Sequence, residues 1–283
     1  MTEADAIVVR DLRVAGAREL VHGVSFTLKR RERLGIIGAS GSGKSLTCMA
    51  VAGLIGSRGA VGGARLTVSG SVRYADRPDF EIVGASEREL ARVRGLSVGM
   101  IFQEPMTALN PVMRVGAQVA EAMTVHRAAR GKAARHAALT LLEHTGLHDV
   151  QRVYRSYPHE LSGGQQQRIV AAIALANSPS VLICDEPTTA LDVTVQARLL
   201  ALISDRVDSV DAAMMFISHD LAVVASICDR VLVMCDGRIV ESGSILDILR
   251  APQHPHTKEL IANAEVALPK ADTTDGTART TVI

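Results

Sequence analysis

The sequence predicts an α/β fold, one domain with an inserted subdomain, and three observations support this prediction. An apolar β run, Leu34–Ile37, leads into the glycine-rich segment Gly38–Ser45 and then into a helical pattern. A second apolar β run, Val181–Ile183, ends in the adjacent carboxylates Asp185 and Glu186. Between these runs, the helical segment after Leu161 carries an apolar stripe at helical spacing, formed by Ile169, Ala172, Ile173 and Ala176.

Length and composition narrow the class of protein. The 283 residues are enough for a large core, and a net charge of +1 without a basic run gives no sign of a nucleic-acid partner. No apolar stretch approaches the ~18 residues that span a bilayer, and the acidic start Met1–Asp5 lacks the order of a signal peptide. The four cysteines form no CxxC pair, so we expect a cytosolic chain with buried thiols rather than a metal cluster.

The elements on either side of the glycine-rich segment are predicted from local pattern. Ile7–Val9 and Ser25–Leu28 are expected to be short strands around a turn-rich segment. Residues 65–83 alternate and predict further short strands. Ser86 is followed by early acids, which predicts a helix start.

The segment Gly38–Ser45 matches the phosphate-loop pattern G-x-x-x-x-G-K-[ST]. Its glycines let backbone N–H groups cradle a phosphate, Lys44 neutralises the phosphate charge, and the Ser45 hydroxyl is placed to bind Mg²⁺. A chance glycine-rich turn is the alternative, but the preceding strand and following helix favour the phosphate loop. The residues predicted to contact the nucleotide here are Gly38, Ser40, Gly41, Ser42, Gly43, Lys44, Ser45 and Leu46.

A strand, a loop and a long helical segment are predicted in the middle of the chain. Val98–Phe102 is a β run that ends at Gln103, and the prolines that bracket Glu104–Pro111 predict an ordered loop rather than a helix. From Val115 to about Leu147 the pattern is helical. Its histidines are expected on solvated helix faces rather than around a metal, and they are His126, His136, His144 and His148.

Two features of the central stretch predict chemistry. The glycines after Ser162 open a helix, so backbone N–H groups and the positive end of the helix dipole can face an anion. Asp185 and Glu186 end a strand, and open α/β sheets bind ligands at that edge. Because two adjacent acids repel, a metal ion and a catalytic role explain them best. A helix-capping role is the alternative for Glu186.

The late part of the chain continues the alternation of strands and helices. A helix is predicted over Ala197–Val207, and strands over Met214–Ile217 and Val231–Met234. The first of these strands ends in Ser218-His219-Asp220, which cannot form a hydrolase triad because sequence neighbours at a strand end lack the required geometry. Residues 244–262 are predicted to be helical around a break at two prolines, where a surface turn explains His254 and His256 better than a metal site.

At this point the motifs identify a resemblance to the nucleotide-binding subunits of ABC transporters. The phosphate loop, Gln103 after a strand, LSGGQ at 161–165, Asp185-Glu186 and His219 occur in that family's order. The likeness covers about residues 7–262 and implies a RecA-like phosphate-loop NTPase core, an antiparallel β subdomain and a helical signature subdomain at about 104–178. The ATP-binding domain would then be residues 1–268, and the polar tail 269–283 is expected to be disordered. We call Leu161–Gln165 the signature segment.

Further motifs resemble one subfamily, the importers of oligopeptides, dipeptides or nickel. These motifs are the run QEPMTALNPV at 103–112, the SEREL segment and Pro252–Thr257. Within the subfamily, Leu20–Ser25, the phosphate-loop region through Cys48 and the early end of the chain are similar to nickel-type subunits. Two departures stand out. Arg13–Gly16 lacks the aromatic residue that usually stacks on adenine, and the chain lacks the cysteine-containing tail of some peptide-type members, so no iron–sulfur cluster is expected.

The resemblance implies a role for each matching residue. Two such domains would pair head to tail, with ATP between the phosphate loop of one and Ser162, Gly163, Gly164 and Gln165 of the other. Ser45, Gln103 and Asp185 would hold Mg²⁺. Glu186 would position the attacking water, and Lys44 and His219 would contact the phosphates. Asp192 would link the two sites across the dimer.

The first functional hypothesis is therefore the ATPase subunit of an importer for peptides or for nickel, free or chelated. It implies a second ATP-binding subunit, identical or different, two membrane permeases, an extracytoplasmic substrate-binding protein, and a place on the cytoplasmic face of the membrane. The alternative is a soluble ABC-type ATPase that acts as a mechanical or translation factor. A single motif set and the absence of a heptad run disfavour it. A catalytically silent subunit is disfavoured by Lys44, Glu186 and His219.

Overall fold

Strands and helices alternate along the computed structural model, which describes residues 5–55, 60–61, 64–188 and 192–263. The strands are β1 (Asp5–Ala15), β2 (Glu19–Lys29), β3 (Arg33–Ile37), β4 (Ala60–Val61), β5 (Ala64–Arg65), β6 (Thr67–Tyr74), β7 (Val98–Ile101), β8 (Val181–Asp185), β9 (Ala213–Ile217), β10 (Arg230–Cys235) and β11 (Arg238–Ser244). The helices are α1 (Lys44–Val51), α2 (Glu87–Leu90), α3 (Pro105–Ala108), α4 (Val115–Val125), α5 (Gly131–His144), α6 (Val150–Arg155), α7 (Gly163–Leu175), α8 (Val193–Ser209), α9 (Leu221–Ile227), α10 (Ile245–Arg250) and α11 (Pro255–Asn263).

The large sheet has the strand order β11-β10-β3-β9-β8-β7. The pairs from β10 to β7 are parallel, and β11 pairs antiparallel with β10. Every residue of β8 and β9 is buried, as expected for parallel strands covered on both faces. The carboxyl ends of β3, β7, β8 and β9 therefore reach the same edge of the sheet.

Alternate residues of the buried strands face two different cores. Leu182 and Cys184 belong to the core that also contains α7, α8 and α9. Val181 and Ile183 belong to the core on the other face, which contains α1 and the smaller antiparallel sheet β2-β1-β6. This period of two follows from the pleat of a strand. It explains why an uninterrupted apolar run in the sequence predicts a strand buried on both faces.

The amino-terminal predictions are confirmed in part. The two predicted strands lie inside β1 and β2, and Ser86 begins α2 with a capping box to Glu89. The prediction of strands over residues 65–83 is wrong beyond Tyr74. The Glu81 carboxylate accepts the Val72 N–H at 2.6 Å, so this segment folds back onto β6 as a loop instead of pairing as a strand.

The helices between β7 and β8, α3 to α7, form what we call the helical unit, and two predictions for it are wrong. The expected loop after Glu104 contains the one-turn helix α3, because Pro105 occupies the first helical position, where proline's fixed φ suits a helix. The helical pattern from Val115 is divided into α4 and α5, with Arg127 at φ 61° in the turn between them. Three of the four histidines are exposed, and His126 is half-buried at the end of α4.

The carboxyl-terminal elements agree with the sequence except at one strand. Helix α8 begins earlier than predicted, and the break between α10 and α11 falls at the predicted prolines. Strand β11 was not predicted. Its Glu241 carboxylate accepts the backbone N–H groups of Gln253 at 2.8 Å and His254 at 3.0 Å, which holds the turn before α11. The expected tail at 269–283 lies outside the described residues.

Three cysteines lie in the cores as free thiols, namely Cys48, Cys184 and Cys228. Burial raises the pKa of each of them, that of Cys228 to about 12, which disfavours the reactive thiolate. The described residues include no group of three or more His, Cys, Asp or Glu side chains that could hold a metal ion. The described helices are all too short or too polar to cross a bilayer.

Candidate nucleotide site

The phosphate loop joins β3 to α1 in a conformation that requires glycine. Gly38 has φ 155° and Gly43 has φ 96°. A Cβ atom at Gly38 would lie 2.2 Å from the carbonyl oxygen of Met234, so a side chain cannot be accommodated there. At Gly41 the same atom would meet nothing within 4 Å, so the loop is open on that side. Close packing behind the loop and open space in front of it suit the approach of a ligand to its backbone.

Lys44 is the buried cation of the loop. Its Nζ donates to the carbonyl oxygens of Gly38 at 2.8 Å and Ala39 at 2.9 Å. Burial lowers the pKa of Lys44, and the carboxylates of Glu186 and Asp185 oppose this effect. The Ser42 hydroxyl is also buried and has no hydrogen-bond partner among the residues that the structure describes. A phosphate oxygen would satisfy this hydroxyl and compensate the buried ammonium.

Ser45 and Asp185 form an oxygen pair that fits Mg²⁺. The Ser45 hydroxyl donates to Asp185 Oδ1 at 2.9 Å, and the Asp185 side chain is buried. Burial raises the pKa of this carboxyl, and the hydrogen bond from Ser45 partly offsets the increase. Burying a carboxylate beside a hydroxyl oxygen costs free energy, because the charge loses its hydration. Binding of a hard divalent cation would offset this cost. The donors present therefore fit the predicted ion.

Glu186 lies at the meeting point of three strand ends. It follows β8 with φ 46°, and its N–H donates to the carbonyl oxygen of Ile217 at 3.0 Å. Its Oε2 is 3.1 Å from Nδ1 of His219, which follows β9, and 3.4 Å from Nε2 of Gln103, which follows β7. The side chain of Glu186 is 17% exposed and that of His219 is 66% exposed. This carboxylate is oriented by two polar neighbours and can act on a water molecule in front of it.

Ser218, His219 and Asp220 do not have the geometry of a catalytic triad. The Asp220 side chain accepts the N–H groups of Ala222 and Val223 and caps α9. The Ser218 hydroxyl accepts the Asp220 N–H at 3.0 Å. Only His219 of the three reaches Glu186, in agreement with the sequence-based argument.

The signature segment begins α7 and is separate from the phosphate loop. Ser162 and Gln165 form a reciprocal capping box, with Ser162 N–H to Gln165 Oε1 at 3.0 Å and Gln165 N–H to Ser162 Oγ at 3.4 Å. Ser162 and Gly163 are exposed. Within the described residues, no hydrogen bond joins this segment to the phosphate loop. Asp192 caps α8 by accepting the Val195 N–H at 2.9 Å, beside residues 189–191, which lie outside the description.

The predicted site residues thus fall into two groups. One chain brings together Lys44, Ser45, Gln103, Asp185, Glu186 and His219 at one sheet edge. No hydrogen bond among the described residues joins this group to the signature segment or to Asp192. Two buried glutamines of α7 are not among the predicted site residues. Gln166 donates to the carbonyl oxygen of Leu161 at 3.0 Å, and Gln167 donates to that of Phe102 at 3.3 Å. The sequence signal that could have found them is their position on α7, at helical spacing from its apolar stripe.

Comparisons with known proteins identify proteins that this chain resembles. The family model described as ABC transporter matches residues 21–189. The chain is 47% identical over 239 residues to the probable peptide ABC transporter ATP-binding protein y4tR of Sinorhizobium fredii, across 84% of this chain and 69% of that protein. It is 43% identical over 266 residues to the glutathione import ATP-binding protein GsiA of Escherichia coli O1:K1, across 91% of this chain and 42% of GsiA. The dimeric structure of MJ0796, a bacterial ABC transporter cassette, matches with a TM-score of 0.71 and 26% identity over 84% of this chain and 98% of that one.

Proposed function

Because the chain belongs to the ABC transporter family and is an ATPase of that family, we propose that it is the ATP-hydrolysing subunit of an importer for peptides. The observation that carries the proposal is the convergence of Lys44, Ser45, Asp185 and Glu186 at one sheet edge, while no hydrogen bond among the described residues links the signature segment to the phosphate loop. The first group can bind and hydrolyse ATP. The second can bind only a nucleotide that another chain holds.

Each residue of the site has a separate task in hydrolysis. The phosphate loop and Lys44 bind the phosphates, and Ser45, Asp185 and Gln103 would hold Mg²⁺, which neutralises charge on the phosphate oxygens when bound. Glu186, oriented by its contacts with His219 and Gln103, would align the attacking water and accept its proton. His219 would donate to the γ-phosphate as negative charge moves during transfer. The chemistry depends on positioning and charge stabilisation, which this arrangement provides without a protein nucleophile.

The position of the signature segment supports pairing with a second ATP-binding subunit. Ser162 and Gly163 are exposed at the amino-terminal end of a 13-residue helix, where N–H groups and the helix dipole favour an anion. In a head-to-tail pair, this end would meet the ATP held by the partner's phosphate loop. Asp192, at the start of α8, would then face the second site. The partner is either a second copy or a related chain.

A groove beside residues 103–114, which we call the Gln103 loop, supports membrane partners. It lies between β7 and the helical unit, has a volume of about 500 Å³ and is mainly apolar. Residues that line it include Met100, Phe102, Val125 and Ile173. Met106 and Val112, in the loop after Gln103, are exposed by 57% and 83%. We propose that a short helix of a permease docks here at the cytoplasmic face of the membrane, which would couple docking to the Gln103 contact with Glu186.

The names of the relatives favour peptide cargo. One relative is named for peptides and another for glutathione, which is itself a small peptide. Nickel, the other cargo that the motifs allow, stays a prediction. The cargo would be delivered by an extracytoplasmic binding protein and would contact chains other than this one.

The test is a pull-down with a variant that binds ATP but hydrolyses it slowly. Glu186→Gln removes the carboxylate and keeps its shape, so the paired, ATP-bound state should accumulate. Detergent-solubilised membranes with Mg·ATP should yield two permeases and a second ATP-binding subunit, identified by mass spectrometry. Glu143→Gln is the matched control, because Glu143 is an exposed acid on α5, outside the site and the loop after Gln103. Recovery of soluble machinery alone, such as ribosomes, would refute import and favour the soluble-factor alternative.

A further inference from the structure

Three stacked side chains join the loop after Gln103 to the segment that leads into the signature segment. The guanidinium carbon of Arg114 is 5.7 Å from the centre of the Tyr157 ring. The Tyr157 and His159 rings lie 5.7 Å apart with an angle of 11° between their planes. These distances fit a cation–π contact followed by offset stacking. We call Arg114, Tyr157 and His159 the stacked column.

The backbone on both sides of the column is hydrogen-bonded. The Val115 N–H donates to the Ser156 carbonyl oxygen at 2.9 Å, which pairs the residues next to Arg114 and Tyr157. The Tyr157 N–H donates to Glu160 Oε2 at 2.7 Å and closes the turn that contains His159. From α7, the buried Gln166 amide donates to the carbonyl oxygens of Pro158 at 2.8 Å and Leu161 at 3.0 Å. The column therefore adjoins a continuous set of contacts that ends at the signature segment.

The Gln103 loop is attached to the same region at its other end. The Gln167 side chain donates to the Phe102 carbonyl oxygen at 3.3 Å, one residue before Gln103. Within the loop, the Gln118 side chain bonds Asn110 N–H, Asn110 O and Met113 O at 2.8–3.0 Å. The loop is thus braced internally and fastened to the signature region before its start and at its end.

The geometry points to Arg114, Tyr157 and His159 as positioning residues that fix the anion-binding end of α7 relative to the Gln103 loop. The inference rests on the proposed function, because the nucleotide that this end would meet belongs to the paired subunit. Phosphoryl transfer depends on positioning, so a small misplacement of the signature segment should weaken ATP-driven pairing. The chemistry at Glu186 would be unchanged once the pair has formed.

The size of the effect follows from the exposure of the column. Arg114 and His159 are exposed and Tyr157 is half-buried, so loss of the cation–π contact should weaken one ATP interface about two- to five-fold. A closed pair contains two such interfaces. If the losses are independent, the association constant of the pair should fall by roughly four- to twenty-five-fold.

The experiment measures ATP-dependent pairing in the Glu186→Gln background by analytical ultracentrifugation. Arg114→Met and Tyr157→Leu should weaken pairing by the stated factor, and Tyr157→Phe, which keeps the ring, should not. The matched control is Arg135→Met, because Arg135 lies at the same 5.7 Å from the Tyr154 ring, elsewhere in the helical unit. With Glu186 restored, kcat at saturating protein and ATP should be unchanged, and the concentration needed for half-maximal rate should rise.

A second measurement separates this inference from the proposed function. Hydrogen exchange over residues 158–167 of the nucleotide-free monomer should become about two- to five-fold faster in Arg114→Met, and remain unchanged in Arg135→Met. If the parent variant fails to pair with itself in ATP, pairing with a second copy is wrong and the partner in the proposed function is a related chain, and the exchange rates still decide the role of the column. Unchanged exchange in Arg114→Met, or unchanged pairing where the parent pairs, overturns the inference.

Discussion

Replacing His219 with alanine should separate catalysis from stability. The side chain is 66% exposed, and its contact is the 3.1 Å approach of Nδ1 to Glu186 Oε2. An exposed pair of this kind contributes little to folding, because solvent screens it and imidazole is charged only when protonated. We therefore expect the free energy of unfolding to change by less than about 0.5 kcal/mol, a shift in Tm of about 2 °C at most.

The expected effect on hydrolysis is much larger. In the proposed site His219 supplies one preorganised donor to the phosphoryl group and orients Glu186. Loss of one such donor in other enzymes lowers kcat by about 100- to 1,000-fold, or roughly 3–4 kcal/mol. The predicted increase in the activation free energy of hydrolysis is therefore at least about six times the predicted change in the free energy of unfolding.

The assay is phosphate release at saturating Mg·ATP, with thermal unfolding measured on the same samples. His136→Ala is the matched control, because His136 is exposed on α5 in the helical unit. This substitution should leave both kcat and Tm unchanged. A fall in kcat of less than three-fold in His219→Ala would refute the proposed role, and so would a loss of stability large enough to account for the lost activity.

Two further substitutions test the phosphate loop and the predicted metal site. Gly38→Ala places a methyl group 2.2 Å from the Met234 carbonyl oxygen, so ATP binding should be lost and urea unfolding should show a stability loss of about 1–3 kcal/mol. Gly243→Ala in β11 is its control, because the new atom would lie at an ordinary 3.4 Å from the Ile248 side chain, and equal losses would contradict the argument. Asp185→Asn removes a carboxyl whose pKa is raised above 3.8 by burial, so its charge destabilises the nucleotide-free fold above its folded pKa. The variant should have a higher Tm than the parent at neutral pH and no stabilisation by Mg·ATP, and the difference in Tm should shrink as the pH falls through that folded pKa. A difference in Tm that does not depend on pH would contradict this account.

The sequence predicts that the candidate catalytic residues lie close together, because each of them follows a strand. Gln103, Glu186 and His219 each come directly after an apolar β run, and parallel strands place their carboxyl ends at one edge. Their convergence on the Glu186 carboxylate therefore follows from local pattern and topology together. The distances of 3.1 and 3.4 Å come only from the structure.

The structural elements that were predicted wrongly depend on interactions that the spacing of apolar residues along the sequence does not reveal. Strand β11 is half-exposed along its length, so its residues show no apolar run, and its partner β10 decides its conformation. The break between α4 and α5 depends on Arg127, a non-glycine residue at positive φ that helical spacing does not reveal. The loop at 75–85 is held by the side chain of Glu81, a contact that alternation cannot distinguish from a strand.

The three consecutive glutamines at the start of α7 show why spacing alone cannot assign the rest of the site. Gln165 caps its own helix through Ser162. Gln166, one position on, is buried and holds the Pro158 and Leu161 carbonyl oxygens. Gln167 is buried on another side of the helix and reaches Phe102 beside the Gln103 loop. Each step of one residue turns the side chain by about 100° around the helix, so identical side chains contact three different parts of the chain. The motif therefore predicts an anion-binding helix end, and the contacts of the neighbouring residues hold that end in place.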